Sequence, residues 1–442
     1  MRRRCVLISV VNGRPSTIKA TISFNSMKHS GIQSYPWYRW LVVALLWVVA
    51  LLNYMDRQVL STLRPSMQKD IQDLQSAENF GYLMAVFLWI YGFASPVAGF
   101  ISDRINRKWL IVASLFVWSA VTLMMGYATD FQDLIWLRCL MGFSEAMYIP
   151  AALSLIADYH SGRTRALAIG IHLTGIYCGQ ALGGFGATIA EYVSWQSAFF
   201  SFGLAGIVYA FVLVIFLREC RGSTAKETTA LPQQLSRNVG NVYGDLFRNP
   251  AFWVILFCFA VPSLPGWAIK NWLPTLFSEK LNLPMSQAGP MSTIAIAVSS
   301  LIGVIAGGII SDKWNLTQKR GRVYTSAIGL SLTIPALLII GFGSSIAAVV
   351  GAALCFGLGF GLFDANNMPI VCQFIPDGRR STAYGIMNLC GTFAGAMITS
   401  AMGRWSDQGR LSDGFSILVI VVLAAVILQL FFLKPARMIK PD

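Results

Sequence analysis

Residues 138–150 read RCLMGFSEAMYIP. They lie inside an apolar run from Leu134 to Ile156 that nonetheless carries Arg138 and Glu145. An ionisable residue at the centre of a membrane helix costs about 2.5–3.5 kcal/mol on an insertion scale, so it is kept where it faces a cavity or a partner. At 3.6 residues per turn, positions 138 and 145 are close to two turns apart and share one side of a helix. The pattern returns downstream: Gly142, Glu145 and Pro150 have the spacing of Gly361, Asp364 and Pro369 in GLFDANNMP. A charged motif repeated in two apolar segments predicts a duplicated helical membrane bundle.

Composition agrees. The chain has 442 residues, 55% of them hydrophobic and 12% charged, which excludes an ordinary soluble globular protein. Windows of roughly twenty apolar residues, enough to cross a hydrocarbon core of about 30 Å, recur along it. Twelve are expected, at 40–62, 80–102, 109–128, 133–157, 165–190, 197–217, 251–277, 287–311, 323–343, 346–375, 381–403 and 414–434. The short connections leave no room for an extramembrane catalytic domain. His29, His160 and His172 are the three histidines, none paired on a helix, so neither an enzyme nor a metal site is expected. The eight cysteines are scattered without metal-ligand spacing, and apolar packing is their expected role.

A net charge of +14 would suggest nucleic acid in a soluble chain; here its placement explains it better. With the N-terminus inside, Arg64, Lys69, Lys280, Arg404 and Arg410 are the basic residues left to external segments, and Arg57, Arg138 and Lys270 lie within helices. The rest fall on the cytoplasmic side, the positive-inside pattern, which puts both termini in the cytoplasm. A nucleic-acid partner is not expected; the lipid bilayer is.

The expected organisation is a basic, disordered tail (1–38), a six-helix bundle (39–217), a basic cytoplasmic linker (218–250), a second six-helix bundle (251–434) and a short tail (435–442). Two further echoes relate the halves. Gly99-Phe-Ile-Ser-Asp103-Arg104-Ile-Asn-Arg107-Lys108 returns as Gly308-Ile-Ile-Ser-Asp312-Lys313, and Gly162-Arg163 as Gly378-Arg379. Such echoes are the mark of parallel repeats. Gly175, Gly179 and Gly183 recur every fourth residue, a spacing that lets helices approach closely, here expected at a moving seam. Pro262 and Pro265 are expected to interrupt the seventh span.

Several polar residues within the spans are candidates for a central cavity. Asp56 and Arg57 stand side by side in LNYMDRQVLS, and Tyr91 is the member of its aromatic stripe whose hydroxyl needs a partner. His172, Gln180, Lys270, Asn271, Asp364, Asn367 and Asn388 complete the set. For Lys270, snorkelling to the interface is the competing role, and for His172 a structural hydrogen bond.

The loop 99–108, with the repeats around it, resembles the signature between the second and third helices of major facilitator superfamily transporters; Asn106 stands where that signature ends in Gly. The resemblance covers about 40–434 and implies an all-α fold of two pseudo-symmetric six-helix bundles, with Asp103, Arg104, Arg107 and Asp312 in a cytoplasmic gate. NYMDRQVLS with RCLMGFSEA resembles the anion:cation symporter family, whose members carry hexuronates, aldonates and sialic acid; NYMD also resembles spinster-like lipid transporters. The family resemblance implies Asp56 and Glu145 as proton-coupling residues, and Arg57 and Arg138 for charge balance or the substrate carboxylate. With Lys270 as a further anion contact and Tyr91, Gln180, Asn271 and Asn388 for orientation, the expectation is a monomeric importer of a small organic anion in the inner membrane. The proton is its coupling ion, without a cofactor. Sugar phosphate or lysolipid transport, and a transporter-like sensor, are the alternatives.

Overall fold

A computed structural model describes residues 7–11, 14–18, 36–102, 104–160, 163–219, 246–375 and 380–433. Twelve helical spans long and apolar enough to cross a bilayer run through the described residues. Spans 1 to 6 are Trp37–Met67, Ala77–Gly99, Arg107–Met125, Phe131–Tyr159, Thr164–Tyr192 and Trp195–Phe216. Spans 7 to 12 are Pro250–Leu281, Met285–Thr317, Gly321–Phe342, Ile346–Phe374, Thr382–Asp407 and Leu411–Phe432. Among the described residues, strand occurs in the N-terminal tail, where disorder is expected from composition: Leu7–Val11 and Arg14–Ile18 pair as an antiparallel hairpin.

The repeated motif has a structural counterpart. Span 4 is two helices, Phe131–Ala146 and Tyr148–Tyr159, and span 10 is Ile346–Asp364 followed by Asn367–Phe374. Proline lacks an N–H and its ring crowds the carbonyl four residues back. For Pro150 that carbonyl belongs to Ala146, and for Pro369 to Ala365, so both breaks fall where the motif puts them. Each acid thus sits at the C-terminal end of a half-helix in the middle of its span. Span 7 behaves otherwise than expected. Pro262, Pro265 and Pro274 all lie within one helix, Pro250–Leu281. Each forfeits one backbone bond, but the surrounding helices hold the segment together.

Helix pairings also repeat with an offset of six. Span 5 packs along span 1 as span 11 packs along span 7; spans 2 and 4 correspond to 8 and 10, and spans 3 and 6 to 9 and 12. Gly175, Gly179 and Gly183 make the first of these contacts. A Cβ at those positions would come within 2.6, 2.2 and 2.6 Å of Trp47, Leu51 and Gln58 of span 1. These glycines therefore pack inside one half rather than at the moving seam. Large apolar side chains stand exposed at helical spacing on the outside, among them Ile302, Ile305 and Ile309, and Ile420, Leu423, Ile427 and Phe431. Such stripes are a liability in water and suit contact with lipid tails.

The halves meet mainly along two pairs of spans. Spans 2 and 11, and spans 5 and 8, form the seam. Near the face opposite the chain termini it is tight: a Cβ on Gly184 would lie 2.0 Å from the Thr293 hydroxyl, and one on Gly403 2.4 Å from the Ala77 carbonyl. The Thr188 hydroxyl donates to the Ser286 carbonyl (2.9 Å). Asp407, at the end of span 11, accepts from the backbone N–H groups of Ala77 and Glu78 (2.6 and 2.9 Å) and from the Ser76 hydroxyl (2.9 Å), capping span 2 from the other half. Arg404 pairs with Glu78 across the same seam. Toward the terminal face these four spans part. Gly99, Gly170, Gly308 and Gly385, one near that end of each, have open space where a Cβ would stand. The seam is thus closed near the face opposite the termini and leaves room for side chains at these four positions near the terminal face.

Candidate central cavity and its ionisable residues

Between the halves lies a cavity open to the terminal face, and its N-terminal wall carries the motif residues. Arg57, on span 1, donates from Nε to Glu145 on span 4 (2.5 Å), and the Glu145 side chain is fully buried. The guanidinium lies over the rings of Tyr54, Phe87 and Tyr91, 4.8, 5.0 and 4.5 Å from their centres. Such stacking favours Arg over Lys, whose compact ammonium is more strongly hydrated. Nη2 of Arg57 is buried without a hydrogen-bond partner. Arg138 is also buried, 4.8 Å from the centre of the same Phe87 ring, with Nη1 3.2 Å from the Met141 sulfur. Asp56 turns away from its neighbour: it is buried beside Trp118 and Thr122 of span 3 and interacts with Arg138. Adjacent positions on a helix are 100° apart, so the Asp56–Arg57 pair faces two directions and Arg57 takes Glu145 instead.

The opposite wall belongs to the C-terminal half. Lys270 on span 7 holds its ammonium 5.1 Å from the centre of the Trp267 ring, and Asp364 on span 10 is its carboxylate neighbour, farther away than an ion pair. Lys270 therefore lines the interior rather than snorkelling to the interface. Asn367 donates to Asp364 (3.0 Å). Asp364 is exposed although spans of both halves surround it, the condition of a residue on the wall of an open cavity. Where the cavity narrows toward the closed face, Gln58, Gln180 and Lys270 line a small pocket with Ser292 and Thr293; Gln58 donates to the Lys270 carbonyl (2.8 Å).

Other expected residues fall elsewhere. Asn271 is spent on the Thr399 hydroxyl (2.8 Å), joining spans 7 and 11. Asn388 is half-buried on span 11, where its carbonyl accepts from Thr392. His172 is not a cavity residue: it is wholly buried between spans 1 and 4, its ring 6.0 Å from that of Tyr148. Two of the four expected gate residues pair within their own halves. Arg107 pairs with Asp158 of its own half, and Asp312 with Arg322 of its own (3.1 Å). Arg104 follows span 2 in the same turn, and Asp103 lies outside the described residues. Reading the sequence missed Tyr54, Tyr177 and Tyr384, three phenols within electrostatic range of Asp364. A hydroxyl within an apolar span was the available signal.

The sequence matches the Major Facilitator Superfamily family model over residues 46–400. The chain is a member of that superfamily. Its fold, two six-span bundles around one cavity, is the superfamily's, and its members are multi-pass membrane transporters rather than enzymes. A hexuronate transporter of Bacillus subtilis (strain 168) is 23% identical over 403 residues, covering 89% of this chain and 94% of its own. A chloroplastic sodium-dependent phosphate transport protein 1 of Arabidopsis thaliana is 23% identical over 422 residues, covering 90% of this chain and 80% of its own. Among solved structures, a bacterial homolog to the human lysosomal transporter spinster, inward-facing and occupied, superposes with a TM-score of 0.72 at 20% identity, covering 89% of this chain and 96% of that one. This superfamily member thus resembles carriers of organic and inorganic anions in sequence.

Proposed function

We propose that the protein imports a small organic anion, of the hexuronate or aldonate kind, together with protons, by alternating access. The observation that carries this reading is the balance of charge around the cavity. Arg57, Arg138 and Lys270 are opposed by Asp56, Glu145 and Asp364, so the set is formally neutral. Arg57 keeps one buried guanidinium nitrogen, Nη2, without a hydrogen-bond partner, and Lys270 offers a second cation on the other wall. An arriving anion adds an uncompensated negative charge to a low-dielectric site, and such a charge costs several kcal/mol unless it is neutralised.

A proton on a carboxylate restores the balance. When a substrate carboxylate takes the Arg57 fork, Glu145 loses its cation, and protonation is its least costly state. After release the Arg57–Glu145 pair re-forms, which is the arrangement in the structure. The terminal face is then the cytoplasmic one and the conformation inward-open, with both termini inside the cell and the spans in the plasma membrane. The chain acts as a monomer, each copy holding a complete cavity.

The test is uptake by proteoliposomes of a panel of uronates, aldonates, sialic acid and sugar phosphates, under an imposed proton gradient or an imposed sodium gradient. Accumulation of a carboxylated sugar driven by protons supports the reading. The similarity to a phosphate transport protein described as sodium-dependent supplies the rival: phosphate or a sugar phosphate, driven by sodium. Accumulation only in that arm overturns the proposal.

A further inference from the structure

The Arg57–Glu145 couple has a counterpart that the proton-coupled reading leaves unused. The repeated motif puts Asp364 where Glu145 stands, and the structure confirms the register: both acids lie at a break in the corresponding span, five residues before a proline. Glu145 is fully buried against Arg57, whereas Asp364 is open to the cavity. Its cation, Lys270, is not in an ion pair with it but rests over Trp267. The couple is therefore loosely held, and each member is free to meet a ligand or water.

The surroundings of Asp364 come from both halves. Lys270 of span 7, Tyr54 of span 1, Tyr177 of span 5 and Tyr384 of span 11 are within electrostatic range, and Asn367 of its own span donates to it. Spans 8 and 9, which pack on span 10, carry Asp312, Lys313, Arg322 and Tyr324 near the terminal face, with Asp312 paired to Arg322. Three tyrosines and one lysine are thus what a charge on Asp364 meets within the cavity. In the alternative conformation the open terminal side must close, taking Asp364 out of water. An ionised carboxylate with no ion pair is costly to dehydrate. A protonated one can make the same passage by donating to a phenol oxygen or a substrate oxygen.

We propose that Asp364 is a second proton-carrying residue, so that each half contributes one cation for the anion and one carboxylate for a proton. The proton binds the Asp364 carboxylate from water on one face, crosses while the cavity is closed to both, and returns to water on the other; no other bond changes. In the conformation seen here, its exposure gives the release path. Asp56, buried behind the wall against span 3, has no such path. The assignment rests on proton-coupled transport by this cavity.

The experiment measures proton and substrate fluxes together, in proteoliposomes holding a pH dye and supplied with the labelled anion that the panel identifies. Asp364→Asn is expected to move one proton fewer per substrate than wild type, and Asp364→Glu to keep the wild-type ratio. Asp56→Asn is expected to keep it wherever it transports. Should Asp364→Asn fail to transport downhill, the ratio is read from Lys270→Gln, whose loss of the couple is expected to lower it equally. A wild-type ratio in Asp364→Asn, or in Lys270→Gln where that variant supplies the reading, overturns the assignment while leaving coupling through Glu145 intact. A lowered ratio in Asp56→Asn alone overturns it too and moves the second proton to Asp56. Wild-type transport without any proton flux overturns the proposed function itself, and this assignment with it.

Discussion

Replacing Asp407 should loosen the closed face of the transporter by a predictable amount. Its carboxylate accepts two backbone N–H groups at the start of span 2 and the Ser76 hydroxyl, all across the seam between the halves. Arg64 lies 4.0 Å away, at the margin of an ion pair. The first N–H groups of a helix have no partner within it, so Asp407 serves span 2 as an N-cap supplied by another helix. Removing an N-cap costs about 0.5–2 kcal/mol, and hydrogen bonds to a charged group contribute about 1.5–3 kcal/mol each when shielded. The Asp407 side chain is 37% exposed, and water replaces part of what is lost, so the lower figures apply. A loss of about 1–2 kcal/mol from the closed face alone raises the fraction of time that face is open by roughly 5–30-fold. Thr293 reports it: it is buried at the seam, with its hydroxyl on the Ala181 carbonyl (3.2 Å). A cysteine there should react with a membrane-impermeant maleimide, added on the face opposite the termini, about 5–30 times faster in Asp407→Ala than in its parent, native cysteines being subtracted. Asp407→Asn should fall between, because Asn is itself a good N-cap. Equal labelling rates in all three proteins would show that the cap does not hold this face shut.

Three further outcomes are expected. Glu145→Gln removes the exchangeable proton from the Arg57 couple, so gradient-driven accumulation should fall well below wild type, the Asp364 proton alone remaining to drive it, while counterflow persists; uphill uptake at the wild-type level would remove Glu145 from coupling. Arg57→Lys keeps the charge but loses the fork stacked on Tyr54, Phe87 and Tyr91, and calorimetric affinity for the transported anion should drop about tenfold or more, the equivalent of one charge-assisted hydrogen bond; unchanged affinity points to a neutral substrate. Gly179→Leu drives a side chain into the Leu51 carbonyl, only 2.2 Å from where its Cβ would begin, and should lower stability in detergent by about 1–3 kcal/mol, whereas the same change at Gly170, which has open space, should cost far less on a thermal melt.

Much of the architecture could be read from periodicity because a bilayer imposes one length and one polarity on every span. The twelve windows and the repeat register follow from apolar run length and residue spacing, properties of single residues and their neighbours. The breaks at Pro150 and Pro369 were not foreseen, although the missing proline N–H accounts for them. The same local rules failed at span 7, where three prolines sit in one unbroken helix because neighbouring spans hold it. They failed again at Gly175, Gly179 and Gly183: spacing predicted a close helix contact, but not that span 1 of the same half would make it.

Within the site, the sequence by itself determined which spans carry charge, since an ionisable residue in an apolar run stands out whatever the fold does. It could not determine the pairs. Asp56 and Arg57 are neighbours in the chain yet point apart, and Arg57 finds Glu145 from another span. His172 is polar in sequence but packs behind the wall, while Asp407, an unremarked acid at a span end, caps a helix of the other half. Those choices were left to the tertiary structure, because the partner of a charge depends on which helix faces lie together across hundreds of residues, and local spacing carries no information about that.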